Sequence, residues 1–545
     1  MNEVEVPVLI AGGSLVGLTA SVLLATHGVK SLVVERHRGT AIHPRAAMLH
    51  QRTTEIFRSA GLEEVVGEAA RKEFVQNGAI MACEALGGKE LVYFQKNVNE
   101  GVEHLSPSSR AFITQIGLEP ILRDRARDGG ADVRFSTELV SFEQDDDEVR
   151  SVIRDRETGE ETRVRSKYLI GADGAHSTVR EQLGVSMLGR GDFAHCITIY
   201  FSADIDALVG DRNLSVVYVK QPGLLGFFRY SIDRDGGFLV VFSAVDENGD
   251  VIPDVSVHEN DIPQCIRYVR TALGVGDELD ITIENVQRWA ASAGWAADYG
   301  TDRVFLVGDS AHVMPPTGGF GGNTGIVDAH NLAWKIAYAL QGRAPASLLA
   351  TYDAERRPVG ELTSEQAYSR YVLRVDPALG AEDIQPELDD VAIELGPVYA
   401  SGSIVGSTPT DEPAWQNPRE ERARLGARLP HLWVDRAGER ISTLDLIGSG
   451  MALLTGQGGG AWLRAVEDLD GEVDGFTVGP DGGLRAEAGA FEAAFGLPED
   501  GALLVRPDGT VAWLADSADS ATAAALRAAL DGALTRPAVP VSAGA

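Results

Sequence analysis

The first 35 residues constrain the fold most. A β-rich apolar run at residues 4–11 meets the turn Gly12-Gly13-Ser14-Leu15-Val16-Gly17, an amphipathic helix follows to about His27, and a second apolar run at 31–34 ends at Glu35. Strand, glycine turn, helix, strand and acid, in that order, are the parts of a βαβ unit that binds a dinucleotide. Gly12 permits the tight turn and Gly17 allows the helix to pack closely on the strand. The helix N-terminus aims backbone N–H groups at a pyrophosphate, and Glu35, 18 residues after Gly17, accepts from ribose hydroxyls. Ser14 stands where a second glycine usually lets the backbone approach the phosphates, and its small side chain is compatible with that approach. The turn predicts an adenine dinucleotide without separating FAD from NAD.

Two later blocks make that choice. Residues 164–180 carry an apolar strand into Gly171-Ala172-Asp173-Gly174 and then a helix start at Ser177-Thr178-Val179-Arg180. Residues 303–335 carry a second strand into Gly308-Asp309-Ser310-Ala311-His312, a Pro315-Pro316 corner and the loop Gly318-Gly319-Phe320-Gly321-Gly322-Asn323. That loop leads into an amphipathic helix bearing Asp328, Asn331, Trp334 and Lys335. A buried strand ending in Gly-Asp puts a carboxylate at the carboxyl edge of a sheet, where α/β proteins bind ligands. Asp309 suits a polyol such as ribityl, and the glycine-rich helix start suits negative charge on a reduced flavin ring. Gly308-Asp309-Ser310 sits mid-chain inside this block, unlike the chain-opening nucleophile block of a GDS esterase, and His312 reads as a packing histidine rather than a general base.

Together, the glycine turn, residues 171–180 and residues 308–335 resemble the para-hydroxybenzoate hydroxylase family of single-component flavin monooxygenases, over roughly residues 4–360. The resemblance implies FAD held by Gly12, Ser14, Leu15, Val16, Gly17, Glu35, Arg36, Arg45, Gln115, Leu139, Asp173, Asp309, Pro316, Gly319, Gly322 and Asn323. Within that set Glu35 takes the adenosine ribose, Arg45 in His43-Pro44-Arg45-Ala46 reaches FAD, Gln115 lies near the flavin and Asp309 holds ribityl. The backbone at Gly322 and Asn323 contacts the isoalloxazine ring, and Asp173 serves FAD and NAD(P)H handling together. The resemblance also implies an FAD-dependent aromatic monooxygenase that takes electrons from NADPH or NADH and hydroxylates a phenolic, polycyclic aromatic polyketide with O₂ through a flavin C4a-hydroperoxide. Baeyer–Villiger insertion into a fused-ring ketone, or sequestration of an aromatic ligand without turnover, are the alternatives. No protein side chain is assigned as catalytic and no metal is called for.

Between the second and third blocks, alternating β-rich stretches at 196–203, 214–219, 226–232 and 237–244 predict a sheet covering the flavin. Tyr218, Phe227, Phe228, Tyr230 and Pro315 are the candidate substrate contacts, although packing within a sheet is the plainer explanation of such aromatic residues. The expected layout is a discontinuous Rossmann-like FAD-binding domain at 1–185 and 285–395, and an interleaved β-rich substrate domain at 186–284 with part of 75–115. A linker at 396–430 leads to an α/β unit at 431–545. That unit resembles the thioredoxin-like C-terminal domain of the phenol hydroxylases and of the aklavinone- and tetracenomycin-type aromatic polyketide hydroxylases. None of Cys83, Cys196 and Cys265 falls in it, so it lacks CxxC, and their scatter argues against a disulfide framework or a structural zinc. With 80 acidic against 48 basic residues, a net charge of -32, and no basic cluster, nucleic acid is excluded as a partner. No apolar run reaches the roughly 18 residues of a membrane span and no signal peptide opens the chain, which predicts a cytoplasmic protein, with monomer and homodimer both open.

Overall fold

The computed structural model describes residues 2–42, 48–245, 251–252, 261–380, 383–406, 414–420, 422–448 and 450–537. Arg45 lies outside them. The described chain builds a mixed α/β architecture on three sheets.

The first sheet is seven-stranded and has a parallel core: Asp132–Arg134, Ser31–Val34, Asn2–Ala11, Glu161–Gly171 and Val304–Leu306. Ser31–Val34, Val304–Leu306 and the carboxyl-terminal halves of Asn2–Ala11 and Glu161–Gly171 are buried apolar runs, as expected where helices cover both faces, whereas the first halves of the two long strands are charged and exposed. Their carboxyl ends are in register, with Ala11 opposite both Val34 and Gly171, and Gly171 opposite Leu306. Four chain segments thus leave the sheet side by side, and they deliver Gly12, Glu35, Asp173 and Asp309 to one edge. Helix Leu15–Thr26 and the long helix Phe320–Leu340 pack against each other behind that edge.

The second sheet is nine-stranded and ends at Glu90–Gln95 in the order Leu224–Tyr230, Leu214–Gln221, Ala79–Cys83, Glu90–Gln95. One face buries Phe228, Tyr230, Leu239, Val241, Ile197 and Ile199 against Cys265, Val269 and Leu273 of helix Ile262–Leu273. The opposite face carries Tyr218, Phe227, Phe238 and Phe242, and it meets Met48 and Tyr371 of helix Thr351–Arg374.

The third sheet pairs Met451–Gly456 in parallel with Val473–Gly479 and antiparallel with Ala502–Val505, which pairs antiparallel with Val511–Ala515. Helices Gly460–Glu467 and Ala523–Ala533 lie on one side and Ala490–Phe495 on the other, the thioredoxin-like arrangement without a thiol pair. Trp334 and Tyr338 of the long helix belong to the same core as Trp462 and Leu526, so the C-terminal unit is packed onto the body that holds the first sheet. Its hairpin turn, Arg506 to Thr510, is buried there: Arg506 grips Glu355 through Nη1 at 2.6 Å and Nη2 at 2.9 Å, while Lys335 and Asn331 of the long helix donate to the same carboxylate. Among the described residues no helix is long and apolar enough to cross a membrane, and no group of His, Cys, Asp and Glu is placed to hold a metal ion.

Candidate active site

The site grows from the strand ends. At Gly12 the backbone turns with φ +108°, and a Cβ there would stand 2.1 Å from the Ala172 carbonyl oxygen; at Gly17 it would stand 1.9 Å from that of Gly12. Turn, helix and the Gly171–Asp173 segment therefore close on one another only with glycine at both places. Ser14 caps helix Leu15–Thr26 with φ −97° and ψ −164°, an extended conformation open to any residue. Its Oγ donates to Glu119 Oε1 at 2.5 Å, and the Leu15 amide donates to the same oxygen at 3.0 Å. The Ala41 amide donates to Glu119 Oε2 at 2.6 Å. Burial raises the Glu119 carboxyl above its ordinary range despite these bonds. Glu119 is the main site residue that sequence reasoning missed. It lies four residues after Gln115, whose amide reaches it at 3.3 Å, so the i,i+4 spacing on helix Gln115–Asp128 was the available signal.

Glu35 follows strand Ser31–Val34. Its Oε2 accepts from the Gly13 amide at 2.8 Å, and its Oε1 accepts from the His37 amide at 2.9 Å with His37 Nδ1 at 2.6 Å. Arg36 is exposed and its carbonyl accepts from Arg156. Leu139, in strand Thr137–Gln144, packs partly buried against the core of the first sheet. Asp173 accepts from Ser177 Oγ and, at 3.0 Å, from the Val179 amide, so its carboxylate organises the start of helix Thr178–Leu183; burial raises its pKa.

The third block meets the glycine turn at Val16, against which a Cβ on Gly308 or Gly325 would press at 2.9 and 2.7 Å. Asp309 is exposed in the short turn Gly308–Ser310, whereas Ser310 is buried and donates to the Gly171 and Val307 carbonyls. A serine so engaged is no nucleophile. Asp328 ties this turn down: Oδ2 accepts from the Gly308 amide at 3.1 Å and faces His312 Nε2 at 2.7 Å, and Oδ1 accepts from Arg356 Nε at 2.8 Å. Burial pushes the Asp328 carboxyl up, but His312 and Arg356 outweigh it and hold the pKa below the ordinary value.

Beyond the corner, Pro315 is buried and Pro316 exposed. The long helix starts at Gly319 (φ +68°) with no side-chain cap and no acid in its first turn, leaving the positive dipole end at Gly321 and Gly322 unneutralised by protein carboxylates in that turn. The Asn323 side chain is fully used within the protein. Its Oδ1 accepts from the His50 amide and Thr53 Oγ1, and its Nδ2 donates to the Met48 and Gly319 carbonyls.

The aromatic candidates separate. Tyr218 and Phe227 are direct cross-strand partners with ring centroids 5.8 Å apart, on the face that meets Met48. Phe228, fully buried, and Tyr230, 6 % exposed, point the other way into the core under helix Ile262–Leu273. Their expected role as substrate contacts is therefore corrected, because successive side chains of a strand alternate faces.

Residues 5–367 match the family described as FAD binding domain, and residues 422–537 match that described as aromatic-ring hydroxylase, C-terminal. A 4-methyl-5-nitrocatechol 5-monooxygenase from a Burkholderia species is 44% identical over 97% of this chain and 98% of its own. The tetracenomycin A2 monooxygenase-dioxygenase of Streptomyces glaucescens is 37% identical over 98% of each chain. The crystal structure of aklavinone-11 hydroxylase with FAD and aklavinone has a TM-score of 0.90 at 35% identity, covering 98% of this chain and 100% of that one.

Proposed function

As this chain belongs to the FAD-dependent aromatic-ring hydroxylases, we propose that it hydroxylates a phenolic, polycyclic aromatic substrate with NADPH or NADH as electron donor. It is an FAD-dependent aromatic monooxygenase. The observation that carries the substrate assignment is the juxtaposition, through Met48, of an uncapped helix start at Gly319 with a sheet face carrying Phe227, Phe238 and Phe242, and Tyr218 against Phe227. A flat apolar ligand is held by such a wall through ring stacking and edge contacts, each about 0.5–1.5 kcal/mol beyond burial.

The chemistry FAD supplies when bound is transfer of two electrons from NAD(P)H to O₂, one oxygen atom going to the ring and the other to water. Gly12, Gly17 and the first turn of helix Leu15–Thr26 fit its pyrophosphate. Glu35 fits the adenosine ribose, with His37 fixing the orientation of its carboxylate. Asp309 fits the ribityl chain, and the backbone of Gly319, Gly322 and Asn323 fits the negative edge of the ring, with Pro316 alongside. Asn323 acts through its main chain, since its side chain holds Met48 and His50 in place. The aromatic wall excludes water from the reacting ring and fixes its distance.

A second substrate class, a single substituted catechol ring, is favoured by one observation: the name of the Burkholderia relative specifies a nitrocatechol. Anaerobic rapid mixing of the FAD-loaded protein with NADPH or NADH, with and without hydroxylated anthraquinones or 4-nitrocatechol, separates the two. The expected result is faster flavin reduction with the polycycle, followed on aeration by a product heavier by one oxygen atom. Acceleration by nitrocatechol alone establishes the single-ring class, and production of H₂O₂ only, with every ligand, rules out both.

A further inference from the structure

The outermost strand of the nine-stranded sheet is the least covered apolar segment described. In Glu90–Gln95 four consecutive large side chains are exposed: Leu91 44%, Val92 46%, Tyr93 39% and Phe94 53%. Register with Ala79–Cys83 places Val92 opposite Ala82, which lies opposite Tyr218, so Val92 and Phe94 continue the face of Tyr218 and Phe227. Leu91 and Tyr93 project to the other side.

Phe94 is the surface end of an aromatic ladder. Its ring centroid lies 5.8 Å from that of Tyr218, Tyr218 lies 5.8 Å from Phe227, Phe227 5.7 Å from Phe242, and Phe242 5.6 Å from Tyr371. Exposure falls along it from 53% at Phe94 to 1% at Tyr371. The inner end is in the cluster that contains Met48, whose carbonyl is bonded to Asn323 of the glycine-rich helix start.

Magnitude decides what covers the outer end. On the face shared with Tyr218, the half-exposed Val92 and Phe94 leave on the order of 200 Å² of apolar surface, taking 150–250 Å² for a whole aromatic residue. A stable interface between protein copies needs about 800 Å² per partner. The strand is also flanked by exposed Lys89 and Lys96, the charges that keep open edges from pairing. A patch of this size, continuous with a buried aromatic wall, fits a small flat ligand.

We propose that Val92 and Phe94 form an outer subsite for the distal rings of a fused polycyclic substrate whose reacting ring lies deeper, at Phe227 and Phe242. Strands about 4.8 Å apart place Glu90–Gln95 roughly 14 Å from Leu224–Tyr230, a span that one ring cannot bridge and a linear fused skeleton can. The edge strand thereby selects for ring number. The inference rests on the polycyclic assignment above.

The test is equilibrium binding of a tetracyclic anthracyclinone and of 4-nitrocatechol to the FAD-loaded protein, followed by ligand absorbance, for wild type, Phe94→Ser and, as the opposite-face control, Tyr93→Ser. Phe94→Ser is expected to weaken the tetracycle about tenfold, the loss of one aromatic contact with its burial, and to leave nitrocatechol within twofold. Tyr93→Ser is expected to change neither. Equal weakening of both ligands by Phe94→Ser, or of neither, overturns the subsite while leaving the substrate class standing. A change of Phe94→Ser from dimer to monomer on elution with unchanged affinities assigns the strand to contact between copies instead. A wild type that binds nitrocatechol and no tetracycle overturns the polycyclic assignment, and the subsite with it.

Discussion

Phe227 and Phe228 are neighbours in one strand, yet they sit in two different environments. Phe228 is fully buried beside Tyr230 among mostly aliphatic side chains and sealed by helix Ile262–Leu273. Phe227 is partly exposed and touches Tyr218, Phe238 and Phe242. The sealed face is rich in Ile, Leu and Val, shapes that interdigitate and leave no slot. The open face is rich in flat rings, and Trp289 Nε1 on it donates to Thr198 Oγ1 at 3.0 Å. One face holds the sheet together and the other presents a surface, and hydrophobicity alone does not distinguish them.

The pair of substitutions Phe228→Ala and Phe227→Ala separates these roles with the largest effect. Truncating Phe228 removes a fully packed ring and should cost about 3–5 kcal/mol of stability. Truncating Phe227 should cost only about 1–2 kcal/mol, since part of the ring is already in contact with water, while weakening an anthraquinone ligand about tenfold. Urea unfolding and ligand titration on both variants read the two quantities. Equal stability losses would abolish the distinction between the faces.

A second effect, of about 3 kcal/mol for each of two groups, should spare both faces. Glu55 and Glu355 lie where the C-terminal unit meets the body. Burial alone would raise both carboxyls, but Arg428 with Arg52, and Arg506 with Lys335, outweigh it and bring each to about 2. A depressed carboxylate contributes stability above its unfolded value near 4.5 and loses it as pH falls toward the folded value. Acid should therefore loosen the junction between about pH 4.5 and 2 while the sheet, whose two faces are dominated by uncharged side chains, retains its slow hydrogen exchange. Exchange accelerating first in helix Ile262–Leu273 would contradict this order.

The sequence made the strand ends legible because glycine and acid spacing is set by backbone geometry within a few residues of each other. Gly12, Gly17, Glu35, Asp173 and Asp309 all emerge at one sheet edge as expected. The mixed α/β class and the separate α/β unit at the C-terminus were legible for the same local reason, strand runs between turn signals, whereas its thioredoxin-like arrangement was legible only through the family resemblance. Face assignment was not, because Gly226-Phe227-Phe228-Arg229-Tyr230 is apolar almost throughout and carries no period-two signal; only pairing with Leu214–Gln221 and Gly236–Val245 decides which ring points where. Contacts across long separations were equally hidden. Glu119 meets Ser14 over 105 residues, and Arg506 meets Glu355 over 151. The use of the Asn323 side chain as a four-bond clamp is invisible from a motif that marks its backbone.

The smallest effect concerns the turn on which the open face depends for its cofactor. Ser14 occupies the usual place of a glycine, so Ser14→Gly moves the turn toward the common pattern and, by motif alone, should strengthen FAD binding. The geometry argues the reverse. At φ −97° and ψ −164° the position needs no glycine, and the serine hydroxyl is the shortest of the bonds that hold Glu119. Removing it costs about 1 kcal/mol for the lost hydrogen bond to a buried carboxyl, and glycine adds freedom to the unfolded chain. Glu119, already raised by burial, loses a donor that favours its charged form, so its carboxyl should rise further. The expected outcome is an FAD dissociation constant a few fold weaker, with the deficit growing as pH falls. Fluorescence titration of the apoprotein with FAD at several pH values measures it, and tighter binding in Ser14→Gly would mean that the motif, not the Glu119 contact, governs this turn.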